Sequence, residues 1–209
     1  DANTALGLGA ATFAKATELS LGISKGVSVS NAIKTDGVIT QSNNFDSSLT
    51  GVISGAGKLV KDTNATGTLT LTGANSYTGG TSVDAGTVAV DANTALGLGA
   101  ATFAKDTELS LGISKGVSVA NAIKTDGVIT QSNSFDSSLT GVISGAGQLV
   151  KEGTGLLSLT GANSYSGGTQ VAAGKVALDA NTALGAGSAT FATDTELSLG
   201  VTKGLSVAN

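Results

Sequence analysis

The side chains in this chain that could carry chemistry are carboxylates, lysines, two tyrosines and a large stock of Ser, Thr and Asn groups. There is no His, Cys, Met, Trp or Pro, and every basic residue is Lys. Without His or Cys, no Ser-His-Asp or Cys-His nucleophile can be assembled, and no imidazole- or thiolate-bound metal site can form. The candidate acid pairs for polysaccharide cleavage are Asp36 with Asp46, and Asp126 with Asp136. Such chemistry needs two carboxylates set across a scissile bond, but both pairs are duplicated, which reads as surface turns. Gly7-Leu-Gly9 and Gly55-Ala-Gly-Lys58 invite comparison with phosphate loops. Neither completes a nucleotide-binding pattern, and Lys58 gives way to Gln148 at the equivalent place. The acidic residues do not follow the nonapeptide calcium repeat. The expectation is therefore a chain with no catalytic, cofactor-binding or metal-binding residues and no enzymatic activity.

The elements that position these groups recur. DANTALGLGAATFAK begins at Asp1 and again at Asp91, and DANTALGAGSATFAT begins at Asp179. The units are 1–90, 91–178 and a partial 179–209, read as one continuous solenoid segment over 1–209. Units one and two differ over positions 1–60 only at Ala16/Asp106, Ser30/Ala120, Asn44/Ser134 and Lys58/Gln148. A fixed period in sequence implies a stacked unit in space. The chain has no initiator Met, begins at a unit start and stops within unit three at Asn209, which reads as a segment of a longer array.

Within each unit, apolar residues alternate with polar ones over short stretches. Leu19, Leu21 and Ile23 share a side, as do Val27 with Val29 and Leu69 with Leu71, and Gly, Asn, Asp and Ser separate the stretches. Period-two alternation bounded by turn residues predicts short half-buried strands. Asp1 to Ala14 is Ala-rich, but Gly7 and Gly9 weaken a helix, so a turn and a strand near Phe13 are expected. Eight or nine strands per unit, with few aromatics, suit an all-β parallel β-helix with about four rungs per unit, or three longer ones. Leu19, Leu69, Leu71, Leu109 and Leu157 are expected to face inward and Lys61 outward. The aromatic positions (Phe13, Phe103 and Phe191; Phe45 and Phe135; Tyr77 and Tyr165) read as rung-capping or core stacking, with a sparse row of aromatic glycan platforms as the functional alternative.

The segment Gly55 to Lys61, followed by Gly67-Thr-Leu-Thr-Leu-Thr-Gly-Ala-Asn-Ser-Tyr-Thr-Gly-Gly-Thr81 and on to Val88, resembles the passenger-associated transport repeat of monomeric autotransporters, the type V secreted proteins of Gram-negative bacteria. Unit two matches from Gly145 to Val176, and Asn-x-Ala-Leu-Gly trails at Asn3, Asn93 and Asn181. Val88 and Val176 stand where Leu is commoner. The resemblance covers about 45 residues of each unit. It implies a right-handed single-stranded parallel β-helix. It also implies an extracellular place on the bacterial surface, attached through an outer-membrane β-barrel outside this segment, or secreted.

A net charge of −4 with 12% charged residues offers no basic patch for nucleic acid. No apolar run reaches the roughly 18 residues of a membrane-spanning helix. The reading is a non-catalytic structural and adhesive rod. Its expected partners are a host-cell receptor, glycan or matrix surface, or further copies of itself. The alternatives are a spacer presenting another domain and a polysaccharide-acting β-helix. The near identity of units one and two predicts outward side chains in the same order along the rod, and binding that rises with each added unit.

Overall fold

The computed structural model describes residues 5–22, 24–200 and Val207; Asp1, Asn3, Ile23 and Asn209 lie outside them. The described residues form short strands and no helix. Unit one carries β1 Ala11–Phe13, β2 Glu18–Leu21, β3 Ser28–Val29, β4 Ile33–Thr35, β5 Val38–Gln41, β6 Ser47–Leu49, β7 Ile53–Ser54, β8 Lys58–Lys61, β9 Thr68–Leu71, β10 Thr81–Val83 and β11 Gly86–Val90. Unit two carries β12 Ala101–Phe103, β13 Thr107–Leu111, β14 Ser118–Val119, β15 Ile123–Thr125, β16 Val128–Gln131, β17 Ser137–Leu139, β18 Ile143–Ser144, β19 Gln148–Lys151, β20 Leu156–Leu159, β21 Thr169–Val171 and β22 Lys175–Leu178. Unit three begins with β23 Ala189–Phe191 and β24 Glu196–Leu199. The Ala-rich opening makes a turn and β1, because its glycines and short apolar stripe leave a helix nothing to gain.

Each strand pairs in parallel with the strand one turn further along the chain. Ile33 lies beside Ile53, Ala11 beside Ile33 and Thr68 beside Thr87, so a turn takes 19 to 22 residues. Three faces result. Face one begins with β1, β4 and β7. Face two is the ladder β2-β5-β8-β10-β12-β15-β18, and face three the nine-stranded ladder from β3 to β23. Two turns of face one have no strand there. Ser76 N donates to Ile53 O and Leu98 N to Tyr77 O, both at 2.8 Å, and carry the stack across. Face one then resumes as β14-β17-β20-β22-β24. Nine stacked strands at about 4.8 Å make a rod of roughly 40 Å.

The sequence period and the turn do not coincide. β12, β13 and β14 are the unit-two counterparts of β1, β2 and β3. Yet β12 stands on face two, β13 on face three and β14 on face one. β23, the next counterpart of β1, stands on face three. One unit is therefore four turns and one further face, carrying eleven strands rather than the eight or nine expected. Equivalent residues of successive units point to successive sides of the rod. The outward groups of each unit keep the same order but turn by one face from unit to unit.

The core is a set of aliphatic ladders. Leu69, Val88, Leu109, Ile129 and Leu149 follow one another in register up face three. All are essentially inaccessible to solvent, as is Leu157, and Leu19 is half-buried against them. Each buried side chain of this size contributes about 1.5–3 kcal/mol relative to exposure. The corners require glycine at defined places. Gly55 and Gly145 have φ +104, and a Cβ on either would stand 2.2 Å from the carbonyl oxygen of Thr35 or Thr125 in the turn below.

Candidate functional site

The recurrent segment Gly73-Ala-Asn-Ser-Tyr-Thr-Gly-Gly-Thr81 is wiring between turns. Asn75 Oδ1 accepts from Ile53 N at 2.8 Å in the turn below, and its Nδ2 donates to Ala95 O at 2.7 Å in the turn above. Tyr77 is buried, with its hydroxyl 2.6 Å from Thr81 Oγ1. Thr81 Oγ1 donates to Leu96 O at 3.0 Å, so the tyrosine is the donor of the pair. Gly97, at φ +72, packs against the ring from the turn above, where a Cβ would be 2.7 Å from Tyr77 Cε2. The Asn-x-Ala-Leu-Gly segment thus sits one turn above the Gly-Ala-Asn-x-Tyr segment and answers it bond for bond. Asn163, Tyr165 and Thr169 repeat the arrangement in unit two. Burial raises both tyrosine pKa values, that of Tyr165 to about 12, with the threonine hydrogen bonds partly opposing.

The candidate acid pairs are not brought together. Asp36 lies at the corner between β4 and β5, and its Oδ1 accepts from Ala56 N at 2.9 Å. Asp46 lies at the corner before β6, and its Oδ1 accepts from Thr68 N at 2.7 Å. Asp126 and Asp136 do the same for Ala146 N and Leu156 N, each at 2.8 Å. Each carboxylate satisfies an amide of the next turn from a separate corner.

Lys61 is not outward. It and Lys151 are fully buried, and in register they stand directly above Gln41 and Gln131, which are also buried. Lys61 Nζ donates to Ala65 O, and Lys151 Nζ to Gly153 O and Ala173 O. Gln41 Nε2 donates to Phe45 O at 2.6 Å. These side chains fasten the corner loops from inside. Burial pushes the Lys61 ammonium down to about 8, with Asp46 and Asp62 partly opposing; burial lowers Lys151 too, against Asp136. Lys61→Ala is therefore expected to cost about 2–4 kcal/mol, from the void and the orphaned Ala65 carbonyl. Lys61→Met keeps the volume and removes the buried charge, so it should cost much less. Urea midpoints of the two variants check the ordering.

The pKa shifts also set a pH profile. Between about pH 8 and the ordinary lysine value of 10.5, the unfolded chain holds a proton at Lys61 that the folded chain has released. Stability therefore rises with pH across that window. Above the ordinary tyrosine value of 10.0, the unfolded chain loses protons that Tyr77 and Tyr165 retain when folded, so stability falls. Urea midpoints should climb from pH 8 to about 10 and then drop. The climb should flatten in a Lys61→Met/Lys151→Met variant.

The outer surface bears rows of hydroxyls. Up face three the outward register runs Ser28, Ser48, Thr70. Its unit-two counterpart, on face one, runs Ser118, Ser138, Ser158. Each row lines a shallow groove, of about 350 Å³ in unit one and about 370 Å³ in unit two. Val27 or Val117 and the buried Ser47 or Ser137 also line it, with Asp46 or Asp136. Ser48 and Ser28 hydroxyls are 2.8 Å apart, and those of Ser138 and Ser118 2.7 Å. Phe45 and Phe135, immediately before those aspartates, are 40% exposed, whereas Phe103 is core. Of the two expected roles, core stacking holds for Phe103, Tyr77 and Tyr165, while Phe45 and Phe135 stand outside the core. Sequence reading missed the grooves because their walls come from three turns about 20 residues apart.

The family model for the passenger-associated-transport-repeat matches residues 66–90 and 149–178, the stretches that hold the Asn75/Tyr77 and Asn163/Tyr165 wiring. The chain is also similar to a protein of Brucella suis biovar 1 (strain 1330) named Adhesin BmaC autotransporter. Identity is 38% over 139 residues, covering 59% of this chain and 4% of that protein. The chain thus spans a small fraction of its relative's length. No solved structure matches it. Two transport repeats built into consecutive units of a parallel β-solenoid, with this identity to an autotransporter, support an autotransporter passenger segment carrying passenger-associated transport repeats, extracellular at the cell surface or released.

Proposed function

We propose that this passenger segment is a non-catalytic adhesive rod whose contacts with a host-cell or matrix surface are distributed over its repeated units. The observation that carries the reading is a division of labour among polar side chains. Asp36, Asp46, Asn75, Tyr77 and Lys61 spend their polar atoms on a neighbouring turn or corner, whereas the Ser and Thr rows, linked from turn to turn through Ser28–Ser48 and Ser118–Ser138, stand on the outer surface and recur in each full unit. The relative's name as an adhesin supports the same direction. Weak contacts repeated along a rigid body gain strength by simultaneous engagement rather than from one hot spot. The purified 209-residue chain should bind fixed epithelial monolayers saturably and turn over neither polysaccharide nor ester substrates. A chain that binds no monolayer is a spacer. A turnover that survives repurification and disappears in an Asp36→Asn/Asp126→Asn variant would make it an enzyme.

A further inference from the structure

The groove that recurs in each unit does not recur on the same side of the rod. In unit one it is walled by β3, β6 and β9 on face three; in unit two by β14, β17 and β20 on face one. The cause is the mismatch between a unit of four turns and one face and a section of three faces. The next groove in a continued array falls on face two, and only the fourth returns to the side of the first. At about 4.8 Å per turn, neighbouring grooves are about 21 Å apart along the axis, and grooves on one side about 62 Å apart.

The groove chemistry indicates what it takes. Its walls present hydroxyls that both donate and accept, and Val27 or Val117 is its apolar lining. The nearest charge is a carboxylate on a chain of net charge −4, which disfavours anionic ligands. Hydroxyls and one carboxylate around a small apolar patch suit an uncharged sugar. We propose that these grooves are neutral-saccharide sites displayed in a three-fold screw, so that a flat carbohydrate surface engages one unit in three while the other two face away. This rests on the adhesive reading above and adds its ligand class and geometry.

The 209-residue chain holds one groove on each of two faces, so on a flat layer it binds through one groove at a time. The probe is a sensor surface coated with a neutral galactomannan, with heparin as the anionic control. Ser48→Glu or Ser138→Glu alone should lower the amount bound about twofold and leave the dissociation rate unchanged; both together should abolish binding. Ser48→Thr should bind as the parent does, and unchanged circular dichroism of the Glu variants would show that they fold. Inserting one copy of residues 91–178 to give three grooves should leave dissociation unchanged. Inserting two, to give four grooves, should slow it by about 10²–10⁴-fold. Dissociation that speeds up that much in a single Glu variant, or slows with the third groove, would overturn the screw display. Binding to epithelial monolayers without binding to galactomannan, or preference for heparin, would overturn the saccharide class and leave the adhesive reading standing. No binding to either by any length would overturn both.

Discussion

Leu71→Asp is expected to cost at least about 4 kcal/mol and to open the solenoid around the third turn. Leu71 is completely buried, stacked in register between Leu49 and Val90. The substitution removes an aliphatic side chain from a continuous ladder and places a carboxylate where no partner is available. Burying an unpaired charge is among the few changes that exceed 4 kcal/mol. In a solenoid each turn contacts only its neighbours, so the damage should be local first. Amide exchange should accelerate most in β6, β9 and β11. Lys124→Ala, at an exposed site on face two, should shift the urea midpoint by no more than about half a kcal/mol. Equal shifts for the two variants would contradict the inward and outward assignment.

Gly55→Ala carries the other large effect, although it adds one methyl group. The backbone there has φ +104, a region that side chains disfavour by about 1–2 kcal/mol. The added Cβ would meet Thr35 O at 2.2 Å, and that oxygen already accepts from Gly57 N at 2.8 Å, so it cannot withdraw without breaking the stack. Overpacking adds about 1–3 kcal/mol, giving a total near 3–5 kcal/mol. Gly145→Ala should match it, since its surroundings are the same to a tenth of an ångström. Gly9→Ala is the control: φ is not positive there and nothing lies within 4 Å of the new carbon. It should be neutral or stabilising by about 0.4–1 kcal/mol. Thermal midpoints of the three variants decide the matter.

Much of the fold was legible because the strands alternate with period two and the turns are punctuated by glycine. Leu69, Leu71, Leu109 and Leu157 face the core as that alternation requires. The same rule places Lys61 beside Leu59 and Gln41 beside Ile39, both inward. Hydropathy argued the opposite for Lys61, and it was the weaker guide, because a carbonyl of the corner loop was available to receive it. The recurrent Gly-Ala-Asn-x-Tyr segment marked the family but not its own purpose. That became visible only when the next turn brought Ala95 and Leu96 above Asn75 and Thr81. The rotation of one face per unit was not legible. It depends on the sum of many corner lengths, and an error of one corner among them changes the answer.

That rotation is the central claim, and its direct test is a pair of engineered disulfides, since the chain has no cysteine of its own. The structure stacks β13 on β11 across the unit boundary, with Glu108 beside Thr87. A display without rotation would instead place β13 above β10, with Glu108 near Ser82. Adjacent strands about 4.8 Å apart meet the Cα separation that a disulfide needs, about 4.4–6.8 Å. Thr87→Cys/Glu108→Cys should oxidise to an intramolecular disulfide, seen as one linked peptide by mass spectrometry, and Ser82→Cys/Glu108→Cys should stay reduced under the same conditions. The opposite result, a bond from 82 to 108 and none from 87 to 108, would contradict the account.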